Sequence, residues 1–344
     1  MKKKITMQSI ADDLKISKSL VSRALSNQSG VSEETRERIR LTAIRMGYQV
    51  NSSLVSVPSS KTGNIAVLLP RQDLSDLEFW GKIISGIEAE LRKISFSMIL
   101  AGIDTSLPAD KQMPSCIIDR KIDGAIIMGI VPISYILAVQ STGIPITLID
   151  SMYCRFKIDQ VLIENYQGVY DATKFILNKG HQRIGFVGDI TYSQSFIERH
   201  RGFVDAVSDF RTEFADTKIE EFYITDKKGD SYIPLSTSQL EASLQKKHRP
   251  TALVCANDPT AFVVMESMEK MGLSCPQDIS LIGFDNVNKC QWVSPALTSV
   301  DACKVTMGMR AVQLIIRRLN EPDLRPEHIV ITTQIVERSS ILIL

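Results

Sequence analysis

The sequence predicts a small all-α head of helix-turn-helix type followed by an α/β body of two lobes, each built on a doubly wound parallel sheet. Three observations carry this reading. Residues 6–25 hold two short amphipathic segments joined by a tight turn. From Asn64 onward, apolar runs of four or five residues alternate with amphipathic stretches. At 344 residues the chain is long enough for two or three domains, and 44% hydrophobic with 23% charged residues is a globular composition.

Thr6 can cap the first helix, with Ile10, Ala11 and Leu14 turned inward. Ser17 can cap the second, which buries Leu20, Val21, Ala24 and Leu25 and leaves its other face polar. A third helix has Ser32 as its cap, Glu33 and Glu34 in its first turn, Ile39, Ala43 and Met46 inward, and Gly47 at its end. Two short helices of this kind place side chains against base edges in the major groove of DNA. Charge agrees with that use. Residues 1–50 carry 10 Lys/Arg against 5 Asp/Glu, a balance of +5, whereas the remainder carries 30 against 34, a balance of −4. A basic head suits phosphate and an acidic body does not.

In the body, residues 65–69, 96–100, 124–128 and 146–149 read as buried parallel strands, with a helix from about Glu78 to Lys93 after the first. A second series begins at Gln160 and includes residues 160–163, 184–187, 252–255 and 279–283. Two series imply two lobes, and open parallel sheets bind ligands beyond the carboxyl ends of their strands. The six cysteines form no Cys-x-x-Cys and several lie in apolar runs, which fits free thiols in a reducing compartment. The N-terminus runs from Met1-Lys2-Lys3-Lys4 into polar residues without a signal-peptide core, and no apolar run is long enough to span a membrane. A cytoplasmic location without membrane contact is therefore expected.

Residues 17–25, the run Val31-Ser32-Glu33-Glu34-Thr35-Arg36, and Gly47-Tyr48 with Asn51 resemble the lactose-repressor (LacI/GalR) family of bacterial transcription regulators. The resemblance continues through Asp123-Gly124, Gly180-His181, Asn257-Asp258, residues 276–280, Gly283-Phe284-Asp285, residues 295–299 and residues 337–340. It implies a head that docks its second helix in the major groove. Lys18, Ser19 and Arg23 would read bases, while Thr6, Ser17, Ser22, Ser32, Thr35, Tyr48 and Asn51 would hold or position the phosphates. For each Ser and Thr, simple helix capping is the plainer alternative.

The same resemblance implies a periplasmic-binding-protein-like body in which the chain crosses between lobes three times, near Gln160, Trp292 and Pro322. The domains expected are residues 1–50 (DNA-binding head), 51–62 (hinge or linker) and 63–344 (effector binding and dimerisation). Within the last, one lobe would take about 63–160 and 293–322, the other about 161–292 and 323–344. The helix around residues 307–319 has an apolar stripe that suits either a dimer surface or the core.

Two departures from the family pattern stand out. Relatives usually have Gly in the turn between the helices, where this chain has Lys15. A left-handed turn would cost a lysine about 1 kcal/mol, so a turn of another build is expected. Relatives also carry a Leu in the linker that wedges into the minor groove; here Val57 takes that place, followed by Pro58. Proline disfavours helix at the residue before it, so residues 49–61 read equally as a hinge helix or a flexible linker.

By position in relatives, Phe79, Trp80, Asp150, Arg199, Asn257 and Asp285 would face the cleft, and Tyr232 could add an aromatic surface. Guanidinium and carboxylates suit hydroxyls or ring nitrogens, and an aromatic suits a sugar face or a base. Asn257 and Asp258 could instead cap a helix, and Phe79 could be core. The function expected is a repressor that binds a near-palindromic double-stranded operator as a homodimer, gated by a small polar metabolite, most simply a sugar. An enzyme on this fold would need machinery that the chain lacks. It has no Gly-x-Gly-x-x-Gly after a strand, no phosphate loop and no nucleophile elbow. The histidines at 181, 200, 248 and 328 lack ligand spacing, so no metal and no cofactor is expected. An exported solute-binding protein would fit the body but not the head.

Overall fold

A computed structural model describes the chain except residues 1–5, 26–29, 33, 37, 40–41, 43–60, 109–110, 152–156, 191–192, 225–236 and 246–247, and the side chains of 237–239. The described residues fall into two compact units, 1–62 and 63–344.

The head begins with α1 (Met7–Leu14). Thr6 closes a capping box: its Oγ1 accepts from the Ser9 N–H at 3.3 Å, and the Ser9 hydroxyl accepts from the Thr6 N–H at 3.3 Å. Lys15 then adopts the left-handed conformation (φ 54°, ψ 44°) and its N–H returns to the carbonyls of Ala11 and Asp12. The expectation of a differently built turn is thus corrected: the backbone needs this geometry to satisfy the helix end, and the lysine bears the strain. Ser17 Oγ accepts from the Leu20 N–H at 3.2 Å and starts α2 (Lys18–Leu25). Ser32 Oγ caps a third helical stretch through the Thr35 N–H at 3.3 Å. Ile10, Ala11, Val21, Ala24 and Ile39 make the core. Arg36 is buried beside them, donating to the carbonyls of Ala24 (3.3 Å) and Val31 (3.4 Å).

The body holds two six-stranded sheets. The first contains β1 (Asn64–Pro70), β2 (Ser97–Ile103), β3 (Gly124–Met128), β4 (Ile146–Ile149), β5 (Asp159–Ile163) and β11 (His328–Ile331), in the order β11-β5-β4-β3-β1-β2 with every pair parallel. The second contains β6 (Arg183–Val187), β7 (Glu220–Ile224), β8 (Ala252–Cys255), β9 (Ser280–Asp285), β10 (Thr298–Asp301) and β12 (Gln334–Val336), in the order β12-β10-β9-β8-β6-β7. Among the described residues only the β10–β12 pair is antiparallel.

This pairing moves the lobe boundaries from those expected. The strand from Gln160, read as the start of the second lobe, pairs with β4 in the first. β10 pairs with β9, so the chain leaves the second lobe after Asp301 rather than near Trp292. β11 pairs with β5, so the last crossing lies between Ile331 and Gln334 rather than near Pro322. The physical reason is that an apolar run marks a buried strand but not which neighbour it pairs with.

Helices cover the sheets: α3 (Trp80–Lys93), α4 (Ser115–Ile118), α5 (Ile133–Ser141), α6 (Asn165–Asn178), α7 (Gln194–Glu213), α8 (Thr237–Leu244), α9 (Asp258–Lys270) and α10 (Lys304–Asn320). The apolar stripe of α10 belongs to the core: Met307, Ala311, Val312, Leu314 and Ile315 are buried. α10 lies so close to α3 that a Cβ on Gly308 would stand 2.2 Å from the Ile83 carbonyl oxygen. Among the described residues no helix is long and apolar enough to cross a membrane. Five of the cysteines are described and all are free thiols, with Cys116, Cys255 and Cys290 buried; Cys154 lies outside the described residues.

Candidate functional site

The outer face of α2 presents Lys18, Ser19 and Arg23 to solvent, with Ser22 half-buried beside them, while Val21 and Ala24 anchor the helix from below. Thr6, Ser17 and Ser32 are all engaged as helix caps, and Ser32 also donates to the Thr35 hydroxyl at 2.8 Å. Capping fixes these hydroxyls near helix N-termini, where backbone N–H groups and the helix dipole favour phosphate. Tyr48, Asn51 and Val57 lie outside the described residues.

The second site is a cavity of about 450 Å³ between the two lobes of the body. Phe79, Trp80, Asp150, Arg199, Asn257 and Asp285 all line it; Tyr232 lies outside the described residues. The topology explains the convergence. Asp150 follows β4, Asp285 ends β9, Asn257 follows β8, and Trp80 opens α3, so the cavity sits at the carboxyl ends of both sheets. Backbone strain concentrates there: φ is 53° at Asp150, 109° at Asp285 and 50° at Asn286.

Arg199, on α7, is almost fully buried. Its Nε donates to Asn165 Oδ1 at 2.9 Å, one Nη to the Ala256 carbonyl at 2.7 Å, and the other meets Asp285 Oδ1 at 3.5 Å. The guanidinium lies over the Phe284 ring, 3.7 Å from its centre. Lys304 Nζ donates to the Asp285 carbonyl from behind. Phe79 and Trp80 meet edge to face, centroids 4.8 Å apart. Phe79 is therefore both packed and cavity-lining, so its two readings coincide.

Asn257 caps α9, accepting from the Thr260 N–H (3.0 Å) and hydroxyl (2.6 Å) through Oδ1. Its amide Nδ2 is buried and has no hydrogen-bond partner among the described residues. The cap and contact readings are again compatible, because they use opposite ends of one amide. Asp258 does not cap the helix through its carboxylate. It accepts from Ser299 Oγ (2.6 Å), the Val287 N–H (2.9 Å) and Cys290 Sγ (3.1 Å), tying α9 to the segment that follows Asp285.

The cavity is rich in carboxylates. Burial pushes Asp150 up to about 7, opposed by Arg199 and reinforced by Asp285 and Glu198. Burial raises Asp285 to about 6 against the pull of Arg199 and Lys304. Burial, then neighbouring Asp76, raises Asp73 to about 6, and burial raises Glu198. Across the cleft, Glu78 accepts from the Asn288 N–H at 2.6 Å and ties one lobe to the other.

Several cavity residues were missed from the sequence, notably Asp73, Glu164, Asn165 and Glu198. Glu164 and Asn165 were within reach: they are the first two residues after β5, and the strand-end rule finds them once β5 belongs to the first sheet. Glu198 and Asp73 carry no comparable signal. Among the described residues, no group of three or more His, Cys, Asp or Glu is disposed to hold a metal ion.

Residues 6–51 match the model of bacterial regulatory proteins of the lacI family, and residues 173–341 match that of a periplasmic binding protein-like domain. Catabolite control protein A of Priestia megaterium is 26% identical over 319 residues, covering 92% of this chain and 93% of its own length. The HTH-type transcriptional repressor PurR of Escherichia coli O139:H28 is 26% identical over 339 residues, covering 98% and 96%. A LacI family transcriptional regulator from Enterococcus faecium, solved with bound ribose, shares the fold. Its TM-score is 0.68 at 24% identity, over 82% of this chain and 99% of that one. These similar proteins are transcriptional regulators and not enzymes. With a matching head, a matching body and full-length similarity in one order, the chain belongs to the lacI family of DNA-binding bacterial transcriptional regulators.

Proposed function

We propose that the chain is a repressor that binds a near-palindromic operator as a homodimer in the bacterial cytoplasm and is gated by a sugar or similar small polar metabolite in the interlobe cavity. The observation that carries the effector reading is Asn257, whose buried Nδ2 lacks a partner among the described residues in a cavity also lined by Trp80, Arg199 and Asp285. An unpaired buried donor is costly, on the order of 1–3 kcal/mol, and a ligand oxygen relieves it. Carboxylates accept hydroxyl hydrogens, and Trp80 offers an apolar ring to a sugar face. The ribose bound to the Enterococcus faecium regulator and the repressor function named for the Escherichia coli relative support the same reading.

On DNA, Lys18, Ser19 and Arg23 read bases; Thr6, Ser17, Ser22, Ser32, Thr35, Tyr48 and Asn51 position the head on the backbone; and Val57 reaches the minor groove from a linker spanning 51–62. Ligand favours one setting of the lobes, and the Glu78–Asn288 link is one contact that such a change would make or break.

Selection of genomic fragments by the purified protein, followed by anisotropy titration with and without a panel of sugars, tests the reading. A preferred, near-palindromic site whose affinity shifts with one sugar is expected. Equal affinity for selected and random duplex would refute DNA-sequence readout, and a selected site indifferent to every sugar would refute gating by this class of ligand.

A further inference from the structure

The cavity is strongly acidic. Five carboxylates line it, at Asp73, Asp150, Glu164, Glu198 and Asp285, and among the described residues Arg199 is the only cationic side chain that does. Arg199 is already committed. It is buried, stacked on Phe284, and bonded to Asn165, the Ala256 carbonyl and Asp285. Lys304 adds its charge behind Asp285, not in the cavity wall. Asp285 is thus the carboxylate with cationic neighbours on both sides. Asp73, Asp150, Glu164 and Glu198 form no ion pair with a described residue. Burial raises the proton affinity of Asp73, Asp150 and Glu198, and the nearby charge of Arg199 offsets this only in part at Asp150 and Glu198.

Two further features point to what would balance that charge. Trp80 and Phe79 expose aromatic surface to the same space, and an indole face attracts an ammonium as well as a sugar ring. The unpartnered Asn257 Nδ2 supplies a neutral donor, so the site can hold a ligand oxygen without spending Arg199. Hydroxyls, an apolar face and one positive charge are therefore all provided for, whereas a phosphate would meet four carboxylates that form no ion pair with a described residue.

We propose that the cavity selects a cationic polyhydroxylated ligand, a sugar-sized body bearing a protonated primary amine, over its neutral counterpart, and rejects phosphorylated sugars. This rests on the reading that the cavity is the effector site. Asp150 and Glu198 are the groups that receive the ammonium, and Asn257 and Trp80 hold the polyol.

Calorimetry on the full chain with matched hexose pairs tests it: glucosamine against glucose, galactosamine against galactose, mannosamine against mannose, plus glucose 6-phosphate. For at least one pair the amine should bind about 10- to 100-fold tighter than its hydroxyl partner, the range of one desolvated charge-assisted contact. Glucose 6-phosphate should not bind. Asp150→Asn and Glu198→Gln should each cut the amine-to-hydroxyl ratio severalfold without abolishing binding of the hydroxyl partner. Neutral hexoses binding as well as every amine, or a ratio unmoved by both substitutions, would overturn the charge selection while leaving the effector reading intact. No binding by any member of either series would overturn both, and preferential binding of the phosphate would overturn the charge selection outright.

Discussion

Replacing Asp150 by Asn removes a carboxylate that forms no ion pair with a described residue, and little else. The residue sits at φ 53°, a left-handed conformation that Asn also tolerates, so the backbone gains no new strain. The amide matches the carboxylate in size. A carboxyl moved from its ordinary 3.8 to about 7 represents on the order of 4 kcal/mol, at about 1.36 kcal/mol for each tenfold change. Water entering an open cavity cuts this to about 1–2 kcal/mol. The direction is fixed by proton linkage. Between pH about 4 and about 7 the folded chain keeps a proton on Asp150 that the unfolded chain has released, so folding stability falls as pH rises through that window. The variant lacks this loss. Urea denaturation of the ligand-free protein should therefore show Asp150→Asn equal to the parent near pH 4 and more stable by about 1–2 kcal/mol above pH 7. Equal stability at pH 8, or a gap that widens toward acid, would refute the claim that burial disfavours the ionised form of Asp150.

Three further outcomes follow from single residues. Lys15→Gly relieves the left-handed turn and should stabilise the isolated transition of the head by up to about 1 kcal/mol in denaturation; a loss of stability would show that the lysine side chain holds the turn. Arg23→Ala should cost about 1–3 kcal/mol of operator affinity and relax preference at one base pair in a binding-site selection, whereas equal weakening on every sequence would assign Arg23 to phosphate. Gly283→Ala puts a Cβ 2.0 Å from Asp258 Oδ1 and must break the carboxylate's grip on Ser299 and Val287. It should lower stability by more than about 2 kcal/mol by thermal denaturation, and a neutral result would mean that the Asp258 cluster is readily displaced.

Much of the fold was legible because burial writes itself into the sequence. β3 and β4 are recovered residue for residue from their apolar runs, and the caps at Thr6, Ser17 and Ser32 from residue type and spacing. The strands that were not read, β7, β10, β11 and β12, are short or carry polar residues, so no apolar run of four or five residues marks them. Lobe boundaries slipped for a related reason: β5 and β10 pair with the strands just before them, which no residue pattern announces, and β11 reveals its lobe only through β5, far away in sequence. Of the cavity, the residues at strand ends were reachable from sequence. Glu198 was not, because its place on α7 beside Arg199 becomes meaningful only when the helix packs against the cleft.

The central claim is that one molecule in the interlobe cavity and one duplex on the heads share a free energy. Linkage makes this reciprocal: whatever factor ligand imposes on operator affinity, operator must impose on ligand affinity. Calorimetric titration of the bound sugar or amino sugar into the free protein and into its operator complex measures that factor directly. The account predicts a difference of roughly 5- to 150-fold between the two titrations, matched by the reverse measurement and lost when Arg199 is replaced. Identical ligand affinities in the free and operator-bound protein would contradict it.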